Sequence, residues 1–108
     1  MLVQKLILVQ KLIAKLTVAV TDANIDYDGS IAIGRDLMAL VGFKEYDMVH
    51  VNCLDTGKHW ETYVIPGDDG EVCLNGAAAN HFNIGDKVHI LLYGITDRVN
   101  VYPKIVTI

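Results

Sequence analysis

A chain of 108 residues is long enough for one domain, and its charge argues against a role in binding nucleic acid. Hydrophobic residues make up 52% of the chain and charged residues 20%, with both signs interspersed, so a globular fold is expected. The formal net charge of −4 offers no cluster of cations to phosphates, and only Arg35 and Arg98 carry forked donors. We therefore predict a single domain over residues 1–108 that binds no nucleic acid.

The N-terminal segment is aliphatic, but Lys5, Lys11 and Lys15 interrupt it. This spacing leaves neither a span of about 20 apolar residues nor an apolar signal-peptide core with a cleavage site. No membrane association is expected, and a cytoplasmic location is predicted. The hexapeptide LVQKLI at residues 2–7 is repeated at residues 8–13, which we interpret as a local duplication that extends the first strand.

Short β-rich runs separated by turn residues dominate the rest of the chain. The predicted strands are 12–21, 30–33, 48–54, 60–65, 71–74, 87–93 and 99–108. Two segments are predicted to be helical instead: 34–41, which ends before Gly42, and 76–81, which is rich in alanine. Many short strands with one or two short helices favour a mainly β fold built as a small closed barrel, in which no strand edge is exposed.

The cysteines and histidines show no pattern typical of a disulfide or a metal site. Cys53 and Cys73 lie inside apolar runs, where buried free thiols are common, and are predicted to be core residues. The four histidines lack paired spacings such as H-x₃-H, and the cysteines are not separated by two residues. No metal site is expected from these spacings.

The segment TDANIDYDGS at residues 21–30 ends in a Gly-Ser pair that is capable of chemistry. Glycine and serine are common in turns, so the pair alone indicates a turn more often than a site. In a strained turn, the Ser30 hydroxyl can attack the Gly29 carbonyl to give an ester. Elimination and hydrolysis of that ester would leave a pyruvoyl group, an electrophilic ketone made from the chain itself.

Four motifs in this order resemble the aspartate 1-decarboxylase family, at spacings near those of the family. They are residues 21–30, Thr62-Tyr63, NGAAA at 75–79 and Gly85-Asp86. The resemblance covers roughly residues 15–95. Each motif is weak alone, and the combination is specific.

The resemblance implies a double-psi β-barrel that assembles as a homotetramer, with a site that draws on two neighbouring subunits. It also implies self-cleavage into a β-chain of residues 1–29 and an α-chain of residues 30–108. The implied activity converts L-aspartate, a small amino acid, to β-alanine and CO₂, as in pantothenate biosynthesis. The implied cofactor is the pyruvoyl group derived from Ser30, without a metal or pyridoxal phosphate. The sequence does not indicate whether a separate maturation factor takes part.

The family's catalytic residues carry over to matching positions of this chain. Ser30 becomes the pyruvoyl group, which forms the Schiff base with the substrate, and Gly29 carries the carbonyl that is attacked. Thr62 matches a threonine that assists self-processing. Tyr63 matches the tyrosine that returns a proton after CO₂ leaves, a role suited to a phenol. Asn75 matches an asparagine near the pyruvoyl oxygen.

The implied substrate-binding residues include one departure from the family. Gly76 and Ala77 would offer backbone N–H groups to a carboxylate. Three residues before the threonine of its Thr-Tyr pair, the family has an arginine that pairs with a substrate carboxylate, whereas this chain has His59. A histidine lacks the two-point fork and is charged only part of the time near neutral pH. Three alternatives stay open: an aspartate decarboxylase, an enzyme for another small amino acid, and a barrel protein that is not processed.

The first strand departs from the family as well. The family has a K-[LI]-H motif whose lysine precedes the threonine matching Thr21 by seven residues, and gapless counting reaches Ala14 instead. A one-residue deletion brings Lys15 to this position, and a three-residue insertion brings Lys11. Either change moves the lysine to the opposite strand face unless a bulge restores it. Lys15 is our first choice for the catalytic lysine, and Lys11 is the second.

Overall fold

A computed structural model describes residues 8–97 and 100–108, which form a mainly β fold. The predicted fold class, a small mainly β barrel with one or two short helices, is confirmed. In these ranges the elements are β1 Val9–Ala19, β2 Asp22–Asn24, β3 Ser30–Gly34, α1 Arg35–Val41, β4 Met48–Cys53, β5 His59–Gly67, β6 Val72–Asn75, the 3₁₀-helix η1 Gly76–Asn80, β7 Lys87–Thr96 and β8 Lys104–Thr107. The first LVQKLI copy, at residues 2–7, and Val99 lie outside the described residues.

The strands of the described ranges are hydrogen-bonded in the order β2-β6-β3-β5-β4-β7-β1-β8. Side chains alternate across this sheet, so that Val49 and Val51 of β4 are fully buried in the core while His50 between them is only partly covered. We call the side away from the core the outer face of the sheet. It includes Lys15, His50, Asn52, His59, Glu61 and Tyr63.

The first predicted helix is confirmed as α1, which begins one residue later than predicted and ends at Gly42. Gly42 has a φ of 87°, and its N–H donates to the carbonyl of Met38, as in a glycine C-cap. The second predicted helix, 76–81, is a 3₁₀-helix of five residues instead. A segment this short cannot offset the cost of nucleating an α-helix, despite its alanines.

Several strand bounds differ from the prediction, and one strand was missed. β1 begins at Val9, β8 covers only Lys104–Thr107, and β5 continues through Pro66. The proline is tolerated because of its place in the strand. Val64 N–H donates to the Asp47 carbonyl, just before β4 begins, and the nitrogen of Pro66, two residues later, points the same way. Since β4 does not extend that far, this nitrogen needs no hydrogen to donate. The missed strand β2 is the polar tripeptide Asp22–Asn24, which is held by pairing with β6 rather than by its own propensity.

A bulge in β1 separates the two candidate lysines. The register against β7 shifts between Leu12 and Ala14, so Ile13 is the extra residue. A Cβ on Gly94 would lie 2.7 Å from the Ile13 side chain, so the glycine provides the space for the bulge. Lys11 pairs with Gly94 and Lys15 pairs with Leu91, which places the two lysines on opposite faces. Lys15 lies on the outer face.

The predicted burial of both cysteines is confirmed, since Cys53 and Cys73 are free thiols with 2% and 5% of their surface exposed. Among the described residues, no helix has the length and apolar character needed to cross a bilayer.

Candidate functional site

The loop between β2 and β3 carries the Gly-Ser pair and is closed at its base by one residue of β6. Asn75 pairs with Asn24 in the parallel ladder of β2 and β6, and with Ser30 in the antiparallel ladder of β3 and β6. The Asn24 side chain accepts a hydrogen bond of 3.1 Å from the Asp26 N–H, which tightens the turn. Residues 25–29 therefore form a short loop whose two ends meet beside Asn75.

The Ser30 hydroxyl is buried and held by two hydrogen bonds. Only 1% of Ser30 is exposed, and its Oγ donates to the Asp28 carbonyl at 2.8 Å. The Asn75 side-chain nitrogen donates to the same oxygen at 3.0 Å. These contacts fix the hydroxyl beside the Gly29 peptide, with its oxygen in a defined orientation.

Cys73 orients the Asn75 amide, and the sequence analysis missed this contact. The Cys73 thiol donates to Asn75 Oδ1 at 3.3 Å, which leaves the amide nitrogen directed at Ser30. Burial, together with the nearby carboxylates of Asp22 and Glu71, raises the pKa of the Cys73 thiol to about 11. The group therefore remains a protonated donor at neutral pH. The sequence signal that could have revealed this contact is the two-residue spacing, which places Cys73 and Asn75 on the same face of a strand.

The raised pKa of Cys73 predicts a loss of stability at alkaline pH. Because the folded-state pKa lies above the ordinary value of 9.0, the stabilisation is complete below that value and is lost as the pH rises toward 11. Between about pH 8 and about pH 10.5, the free energy of unfolding of the wild type should fall by about 1–2 kcal/mol relative to Cys73→Ser. Urea titrations of both proteins measure the difference. An equal pH dependence in the two proteins would contradict the buried-thiol assignment.

Gly76 packs directly against the Gly-Ser junction. It has a φ of 73°, and a Cβ at this position would lie 2.8 Å from Gly29 Cα and 3.0 Å from Gly29 N. Backbone atoms cannot yield at such distances as a flexible side chain can, so only glycine fits. The N-terminus of η1, with Gly76 and the exposed Ala77, is thereby held against the loop.

A cleft of about 420 Å³ opens on the other side of the junction. Its lining residues are Gly29, Met48, Trp60, Glu61, Thr62 and Tyr63. Thr62 is nearly buried, whereas 37% of Tyr63 is exposed and its ring lies 5.9 Å from that of Tyr46. Trp60 packs against His81, just beyond η1, with ring centroids 5.0 Å apart. Gly29, Thr62 and Tyr63 therefore border one cleft.

A second cleft, of about 250 Å³, borders Asn75 and Cys73, so the loop of residues 25–29 contributes a residue to each cleft. Asp22, Asn24 and Tyr27 also line it.

His59 and Lys15 lie apart from this centre within the single chain. His59 is the first residue of β5, and its Nδ1–H donates to Asn52 Oδ1 at 2.5 Å. Lys15 lies on β1 opposite Leu91 and Ile105, and β1 is separated from β5 by two strands. Neither residue lines a cleft described above. The structure thus places six of the predicted site residues at the junction or in its cleft, and leaves His59 and Lys15 elsewhere on the outer face. The six are Gly29, Ser30, Thr62, Tyr63, Asn75 and Gly76, and Ala77 follows them on η1.

Comparison with known proteins gives consistent matches along the chain. Residues 7–108 match the family described as aspartate decarboxylase. The chain is 43% identical over 90 residues to the aspartate 1-decarboxylase of Campylobacter hominis, covering 81% of this chain and 79% of that protein. It is 47% identical over 88 residues to that of Bacillus cytotoxicus, covering 80% and 69%. It is 49% identical over 76 residues to that of Clostridium kluyveri, covering 68% of this chain but only 60% of the relative.

Proposed function

Because this chain belongs to the aspartate decarboxylase family, we propose that it cleaves itself between Gly29 and Ser30 and then decarboxylates L-aspartate to β-alanine and CO₂. The observation that supports this most strongly is the buried Ser30 hydroxyl, which Asn75 holds beside a peptide that Gly76 encloses. A serine in a simple surface turn needs neither this burial nor a hydrogen bond from a buried amide. The experiment that tests the proposal directly is the mass of the purified chain after warming, which should show separate chains of residues 1–29 and 30–108.

The proposed self-cleavage proceeds in three steps. The Ser30 Oγ bonds to the Gly29 carbonyl carbon, its proton moves to the amide nitrogen, and the carbon–nitrogen bond breaks to leave an ester. Ser30 Cα then loses a proton and the Cβ–Oγ bond breaks, which frees the Gly29 carboxylate and leaves dehydroalanine. Water hydrolyses this group to the pyruvoyl ketone and releases ammonia. Thr62, which lines the same cleft as Gly29, is the residue that would assist the first step.

The residues around Ser30 fit a small dicarbonyl group. Asn75 donates to Ser30 Oγ, which departs with the Gly29 carboxylate in the proposed cleavage, so its amide would be free to donate to the dicarbonyl group left at this position. The absence of a side chain on Gly76 leaves the backbone of the junction accessible at close range. A pyruvoyl group supplies a ketone that takes up the substrate amine and accepts the electron pair of the broken carbon–carbon bond. Asn75 would orient that group, and the Tyr63 phenol, which is partly exposed in the cleft, would deliver the proton to the substrate carbon.

His59 is the residue that bears on the substrate. Its Nδ1 is engaged by Asn52, and its Nε2 lies 3.5 Å from a carboxylate oxygen of Glu61. A substrate carboxylate would have to compete with Glu61 for this nitrogen. This favours, as a second candidate, turnover of a small amino acid without a side-chain carboxylate. Aspartate remains the first choice because Tyr63, Asn75 and the backbone of Gly76 are retained.

His59→Arg is expected to raise the preference for aspartate over neutral amino acids by about tenfold or more. A two-point guanidinium contact contributes about 1.5–3 kcal/mol per charged hydrogen bond, and about 1.4 kcal/mol corresponds to a factor of ten. The measurement is CO₂ release by cleaved protein from aspartate, glutamate and several neutral amino acids in metal-free buffer. If the arginine variant gains nothing on aspartate, His59 does not occupy the clamp position.

The proposed assembly is a homotetramer. Exposed apolar side chains include Ile95, Ile105 and Ile108, with 74%, 51% and 59% of their surfaces accessible. Association would cover them, and it would also allow outer-face residues of one subunit to approach the cleft of another. Light scattering at micromolar concentration should give the mass of four chains. A monomer would contradict the assembly and leave His59 and Lys15 remote from Gly29.

A further inference from the structure

Three potential metal ligands meet on the outer face, although the sequence predicted no metal site. His50 of β4 lies directly opposite Glu61 of β5, and His59 is two residues before Glu61 on the same face. The donor atoms of the three side chains all lie within 4.8 Å of one another. Spacing rules for single elements could not detect this cluster, because one ligand comes from a neighbouring strand.

Distances within the cluster suit a metal ion better than hydrogen bonds. Nε2 of His59 is 3.5 Å from one Glu61 oxygen, and Nε2 of His50 is 3.8 Å from the other. A charge-assisted N–H···O bond is shorter, at about 2.7–2.9 Å. Ligands held about 2.0–2.2 Å from a tetrahedral ion are separated by about 3.3–3.6 Å, so modest side-chain adjustment would place an ion between them.

The neighbours of the cluster orient both imidazoles. Because Nδ1 of His59 is engaged by Asn52 Oδ1, Nε2 is the nitrogen directed at Glu61. Metal-binding histidines characteristically donate their other N–H to such a partner. The His50 ring lies edge-on to Tyr93, with centroids 5.0 Å apart, which limits its rotation.

We propose that His50, His59 and Glu61 bind a divalent first-row transition-metal ion, with zinc as the reference ion and at least one coordination position open to solvent. Two imidazoles and a carboxylate are a ligand set that zinc accepts, and the set leaves a position for a further ligand. The side chains are 27%, 47% and 48% exposed, so a small anion can reach that position. The open position binds a carboxylate, in the role of the arginine that His59 replaces; this last step rests on the proposed function.

A second cluster provides a matched control. Cys53, Asp55 and Asp86 also bring donor atoms within 4.8 Å, but Asp86 Oδ2 already accepts a hydrogen bond of 2.9 Å from the Asn83 N–H. Asp55 is exposed, so Asp55→Asn should disturb little besides that cluster. It removes one carboxylate from the second cluster, as Glu61→Gln does from the first.

Metal binding is tested by calorimetry with zinc and by the visible absorption of bound cobalt(II), on full-length protein pretreated with chelator. We expect one ion per chain, a loss of about tenfold or more in affinity for His50→Ala and Glu61→Gln, and wild-type affinity for Asp55→Asn. Asn52→Ala should weaken binding by about tenfold, because it removes the partner that orients His59. Circular dichroism checks that each variant is folded. Absence of zinc and cobalt binding by the wild type, or loss of binding only in Asp55→Asn, would overturn the proposal.

The carboxylate-binding step is tested separately with succinate, which has two carboxylates and no amine. Succinate should change the visible spectrum of the cobalt protein, because a carboxylate that enters the open position alters the ligand field. The result does not depend on chain cleavage or on turnover, since succinate cannot be a substrate of the proposed reaction. An unchanged spectrum at saturating succinate would overturn the clamp role and leave the metal site in place.

Discussion

Ser30→Ala is expected to abolish self-cleavage and leave a single chain of residues 1–108. The variant lacks the oxygen that attacks Gly29, and Ser30 is the only serine in the chain, so no neighbouring serine can substitute. Loss of the hydroxyl also leaves the Asn75 amide without its partner, at a cost of about 1–3 kcal/mol. We therefore expect a folded, somewhat less stable precursor. Gel electrophoresis after prolonged warming measures the cleavage, and thermal unfolding measures the stability.

The matched control removes a hydroxyl away from the junction. Thr56 lies in an exposed turn, where its Oγ1 accepts a hydrogen bond of 3.2 Å from the Lys58 N–H. Thr56→Ala should cleave at the wild-type rate. Cleavage of Ser30→Ala at the same bond would mean that a protease, rather than the chain itself, makes the cut.

Gly76→Ala is expected to slow cleavage by about 100-fold. The new Cβ would lie 2.8 Å from Gly29 Cα, so the backbone of the junction must move, and a displacement of about 1 Å at a reacting centre has an effect of this size. The substitution also places alanine at a φ of 73°, which costs about 1–2 kcal/mol of stability. A time course of cleavage, followed by mass spectrometry, measures the effect.

Gly57→Ala separates the two contributions. Gly57 has nearly the same φ, 74°, but a Cβ there meets nothing within 4 Å. Both variants should lose similar backbone stability, and only Gly76→Ala should lose cleavage. Equal cleavage rates in the two variants would show that the contact between Gly76 and Gly29 does not position the junction.

The sequence predicted those parts of the fold that depend on local chemistry. α1 follows from apolar residues on one side and from Gly42 at its end, and most strands follow from apolar runs between turns. β2 was missed because a polar tripeptide forms a strand only when β6 is beside it. The bulge at Ile13 depends on the space left by Gly94, more than 80 residues further along the chain.

In the candidate site too, the sequence predicted the residues that belong to local motifs and missed the contacts between strands. Ser30, Thr62, Tyr63 and Asn75 were found through motifs, and the fold then brought them around Gly29. Contacts that depend on register were missed. The Cys73 thiol that orients Asn75 and the pairing of His50 with Glu61 both require knowing which residues lie opposite or beside one another in the sheet.

The mass of the wild-type chain under denaturing conditions tests the central claim most directly. After warming, we predict two chains, residues 1–29 and residues 30–108, the larger lighter by one ammonia than the product of simple hydrolysis. The larger chain should also react with a carbonyl reagent at its N-terminus. A single chain of full-length mass after prolonged incubation, or a larger fragment with an unmodified N-terminal serine, would contradict the account.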